Sequence, residues 1–162
     1  MFESKKKDCL YWKGNAAVHY LDHVDAMEDA LEDLEDEIAI RRRETGKGAG
    51  IQDQKKIVLV INEVEDLIEA ADEKKCTELF QSASEAGIDI VFLGESNRLK
   101  GRDVLSKYVK SSVYGLVLGE QGMTEVFPVG RSREVPKRIE EGLLFRQGGY
   151  IRLMLPKWEQ EE

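Results

Sequence analysis

Two nearly continuous apolar runs, Ile57-Val58-Leu59-Val60-Ile61 and Ile88-Asp89-Ile90-Val91-Phe92-Leu93, constrain this chain more than any other feature. Each is strand length, and an unbroken apolar run predicts a strand buried on both faces, as in a parallel sheet. Between them Val64, Leu67 and Ile68, then Cys76, Leu79, Phe80 and Ala83, follow a helical spacing that Gly87 stops. Leu99 to Val109 reads as a short helix, Val113 to Leu118 as a third strand, and Glu125-Val126-Phe127 as a short extended piece. Strand, helix, strand, helix, strand predicts an α/β fold with a mainly parallel sheet and flanking helices. Gln147-Gly148-Gly149 separates Ile139–Phe145 from Tyr150–Leu155 and predicts a C-terminal β-hairpin.

An amphipathic helix precedes the first strand. Val24, Met27, Leu31, Leu34 and Ile38 form one apolar stripe, and Asp22 or Asp25 is placed to cap its start. Glu28, Asp29, Glu32, Asp33, Glu35, Asp36 and Glu37 crowd the other faces, and Arg41-Arg42-Arg43 close the end, which suits the helix dipole. The arginines read as exposed dipole complement rather than a phosphate clamp. Gly46-Lys47-Gly48-Ala49-Gly50 is superficially like a phosphate loop, yet no Ser or Thr follows its lysine and a strand comes next. It reads as a flexible loop.

The length, 162 residues, suits a single domain spanning 1–162. The net charge of −8, from 32 acidic and 24 basic side chains, argues against a broad nucleic-acid-binding face. No apolar run approaches the roughly 20 residues of a membrane span, and no signal peptide is expected. Cys9 and Cys76 read as reduced thiols, and His19 and His23, four residues apart, as surface or boundary histidines with no third ligand to make a metal site. No metal ligand is expected.

Parallel sheets place their sites at the carboxyl ends of the strands, which here are Asn62-Glu63 and Glu95-Ser96-Asn97. A carboxylate just past a buried strand can hold magnesium or activate a water, and a polar side chain on the neighbouring strand tip can sense a γ-phosphate. The same Asn62-Glu63 pair also suits a helix N-cap followed by an acidic first turn.

Ile57 to Leu67, read as Ile-Val-Leu-Val-Ile-Asn-Glu-Val-Glu-Asp-Leu, resembles the Walker B segment of the FtsK/SpoIIIE family of hexameric ATPases. The order of the neighbours is similar too. A long helix ending in arginines (Ala26 to Arg43) precedes it, a strand ending in a polar sensor (Ile88 to Asn97) follows, and Gly142 to Arg152 resembles the family's terminal hairpin. Phe2-Glu3-Ser4-Lys5 matches a strand end that reads DFKG in that family. The resemblance implies a RecA/FtsK P-loop sheet, with Glu63 as catalytic base and Asn62, Ser96 and Asn97 as nucleotide-binding positions, ATP and magnesium being the family's ligands. The sequence departs at the chemistry. Asn62 stands where the magnesium-organising aspartate belongs, Ser96-Asn97 replaces the sensor Thr-Gln, and GxxxxGK[ST] is absent; the family's P-loop half would lie upstream of residue 1, so either the chain is a fragment without that half or the module has lost it.

Degenerate modules of this kind resemble the last ATPase domains of type VII secretion coupling proteins, the EssC family. That resemblance implies a largely inactive ATPase domain, with no cofactor held by this chain alone. It implies action in substrate engagement and assembly, in the cytoplasmic part of a membrane-anchored parent. The implied partners are WXG100-type secreted proteins, neighbouring ATPase modules of the same parent, and homo-hexamer neighbours; no nucleic acid is expected. The alternatives are a fragment of an active ATP-hydrolysing DNA translocase or secretion motor, and an unrelated α/β domain with a fortuitous strand end.

Overall fold

The computed structural model describes residues 1, 10–21, 24–48, 50–64, 72–95, 99, 101–118, 140–146 and 149–155. The chain divides into two compact units, Met1–Gly94 and Glu95–Glu162.

The first unit holds helix α1 (Val24–Gly46), strand β1 (Val58–Ile61), helix α2 (Glu73–Glu85) and strand β2 (Asp89–Phe92). β1 and β2 pair in parallel, Val58 opposite Asp89 and Ile61 opposite Phe92. The expected stripe of α1 is present where the structure describes it: Leu34 and Ile38 are buried and Leu31 is half-buried. α1 packs on α2, and α2 packs on β2. The core between them is built from Leu34, Ile38, Ile61, Cys76, Phe80, Ala83 and Ile88. Phe80 meets Phe92 edge-on, ring centroids 5.5 Å apart. That is a favourable aromatic geometry and fixes α2 against the sheet.

Two local elements differ from the expectation. The pattern from Val64 to Ala83 is not one helix start, because Asp72 caps α2 by accepting from the Lys74 and Lys75 amides. The glycine segment expected as a flexible loop begins as the terminus of α1. The Lys47 amide donates to Glu44 O and the Gly48 amide to Thr45 O, with Gly48 at φ +94°, the left-handed turn that ends helices. A single 3₁₀ turn, Ile51–Asp53, then leads into β1.

The second unit holds helix α3 (Val104–Lys110) and strands β3 (Tyr114–Leu118), β4 (Glu141–Arg146) and β5 (Gly149–Met154). Asp103 caps α3 through the Ser106 amide. The strands form an antiparallel sheet in the order β3-β4-β5. The predicted C-terminal hairpin is present, with Arg146 opposite Gly149. The sheet's inner face closes over Val117, Leu143 and Phe145, with Tyr150 against them.

The expected mainly parallel sheet is therefore corrected. The described residues form one two-stranded parallel sheet and one three-stranded antiparallel sheet. An apolar run reports burial but not the direction of its partner, and β3 pairs with the hairpin instead of continuing β1 and β2. Nor is β1 buried on both faces: Val58 is 47% exposed while Ile61 is buried. The extended piece expected at Glu125-Val126-Phe127 lies outside the described residues.

Candidate functional site

Asn62 and Glu63 stand at the carboxyl end of β1, where the chain leaves the sheet. The Leu93 amide donates to Ile61 O at 2.8 Å, and the Val64 amide donates to Leu93 O at 3.0 Å. These bonds carry the parallel ladder past the last paired residues and pin the turn that contains the pair.

Glu63 is buried, only 5% exposed, and its backbone lies at φ 55°. Among the described non-glycine residues it alone adopts this left-handed region. Such a conformation costs an L-residue about 1–2 kcal/mol, and strained residues concentrate at functional sites. Strand β1 ends at Ile61, Glu63 takes the left-handed backbone, and Val64 lies fully buried. Glu63 is thus a built position rather than the first exposed acid of a helix. Asn62 is half-buried beside it.

The other half of the predicted constellation, Ser96 and Asn97, lies outside the described residues. Glu95, the exposed residue before them, opens the second unit. No three His, Cys, Asp or Glu side chains converge on a metal position among the described residues. Among the described residues at the end of β1 the donor set is one carboxylate and one neutral amide, Glu63 and Asn62, and the sequence carries no GxxxxGK[ST] loop. Magnesium in nucleotide sites is held by one or two carboxylates together with phosphates that a glycine-rich loop positions. The described residues at this strand end do not by themselves fit Mg-ATP.

One arginine expected at the surface is instead buried in the first unit. Arg41 is 3% exposed. Its Nε donates to Glu37 Oε1 at 2.7 Å, Nη2 donates to Lys55 O, and Nη1 donates to Ala86 O and Gly87 O, both at 3.4 Å. One guanidinium thereby ties the end of α1 to the entry of β1 and the exit of α2. The signal was present in the spacing, since Arg41 continues the buried row Leu34–Ile38 by one more turn. Arg42, by contrast, is exposed and pairs weakly with exposed Glu85 at 3.4 Å, and Arg43 is exposed.

Cys76 is a buried free thiol whose pKa is pushed up by desolvation, with Asp72 adding to the rise and Lys75 opposing it. Cys9 lies outside the described residues. His19 is exposed in the segment before α1, so it shares no helix with residue 23, which lies outside the described residues. No described helix is long and apolar enough to cross a membrane.

Two solved structures share this fold. The structure of EssC ATPases 2 and 3 from Geobacillus thermodenitrificans superposes with a TM-score of 0.76 at 17% identity, covering 98% of this chain and 31% of that one. The cytoplasmic domain of EssC superposes with a TM-score of 0.73 at 14% identity, covering 98% of this chain and 33% of that one. The chain thus spans about a third of the length of these structures and is similar in fold to EssC ATPase modules. No protein-family model and no curated protein matches the sequence.

Proposed function

We propose that this chain is an FtsK/SpoIIIE-like module of a type VII secretion coupling protein, and that it acts as the C-terminal, largely inactive ATPase domain in engaging protein substrates and in assembly. The observation that carries the reading is the fold shared with EssC ATPase modules over 98% of the chain, combined with a strand end in which Asn62 replaces an acid. An amide cannot supply the charge that organises magnesium, so the module keeps the shape of a motor domain without its chemistry. Its partners in this reading are WXG100-type secreted proteins and neighbouring ATPase modules of a membrane-anchored, cytoplasmically facing parent, arranged as a homo-hexamer.

One observation favours the alternative, a fragment of a working ATP-hydrolysing translocase or secretion motor. Glu63 is buried and held in a strained backbone at the position of the family's catalytic base. In that case the phosphate cradle comes from another segment, Glu63 orients the attacking water, and Asn62, Ser96 and Asn97 face the nucleotide. Steady-state ATP turnover by the wild type and by Glu63→Gln separates the two. The proposed reading expects both to sit at background. Turnover in the wild type that the Gln variant abolishes would establish the motor reading instead.

A further inference from the structure

We draw no further inference here: the strongest candidate, the open cavity between the last turns of α1 and residues 53–55, sets Glu44 and Asp53 against Lys47 and Lys55, and the unpaired Gln54 Oε1 beside it is itself buried, so nothing in the structure selects the charge or chemical class of a ligand for it.

Discussion

Arg41 offers the sharpest test of how the first unit is held together. Replacing it with methionine keeps an unbranched apolar stem and removes the guanidinium with every donor. The short bond to Lys55 O is charge-assisted and worth about 2 kcal/mol, and the two 3.4 Å contacts to Ala86 O and Gly87 O add about 1 kcal/mol because those carbonyls lose their donor in a buried setting. Glu37 is about one third exposed and rehydrates, so its share is well under 1 kcal/mol. The expected loss for Arg41→Met is about 3–4 kcal/mol, or roughly 10 °C in Tm for a chain of this size. Arg41→Lys restores the charge but reaches fewer carbonyls and is expected to lose about half as much. Arg42→Met, one residue on and exposed, should change stability by less than about 0.5 kcal/mol. Urea denaturation of the three variants measures all of this. Equal effects at positions 41 and 42, or a loss below about 1 kcal/mol for Arg41→Met, would refute the reasoning.

Further outcomes follow from particular residues. Gly87 sits at φ +76°, and a Cβ there meets Ile51 Cγ2, so Gly87→Ala is expected to cost about 1–2 kcal/mol, partly recovered when combined with Ile51→Ala in a double-mutant cycle. At Glu63, Gly is expected to be more stable than Val by about 2 kcal/mol, because a β-branched residue resists the left-handed backbone; equal stabilities by thermal melting would remove the claim of strain. Burial would raise the Asp103 carboxyl pKa, but hydrogen bonding from Ser106, with Lys110 nearby, holds it below the ordinary value. Its capping contribution, about 1 kcal/mol, is then fully present above the ordinary carboxylate pKa and is lost as pH falls through the lowered one. Asp103→Ala should remove that contribution and its acid dependence in pH-stepped melts. Cys76 should resist a thiol reagent at neutral pH until the protein unfolds, since burial both blocks it and disfavours the thiolate.

What the sequence disclosed, and what it withheld, follows from the range of the interactions concerned. The amphipathic stripe of α1 over its described residues, the strand end at Asn62-Glu63 and the C-terminal hairpin are local patterns, and each is found where the spacing put it. Strand direction is not local: β3 has the same apolar character as β1 yet pairs antiparallel with β4. Arg41 lies on the buried row, yet its charge alone points to the surface, and the carbonyls of Lys55 and Ala86 make its burial tolerable. The left-handed backbone at Glu63 carries no sequence mark, since glutamate is not the residue expected there. Of the candidate site, Asn62 and Glu63 are brought together at the end of β1, while Ser96 and Asn97 lie outside the described residues.

The central claim is that a motor-like fold serves recognition without hydrolysis. The most direct measurement is calorimetric titration of the chain with Mg-ATP beside titration with a WXG100-type secreted protein. Heat is expected from the secreted protein and none from the nucleotide. Micromolar Mg-ATP binding with no response to the secreted protein would contradict it.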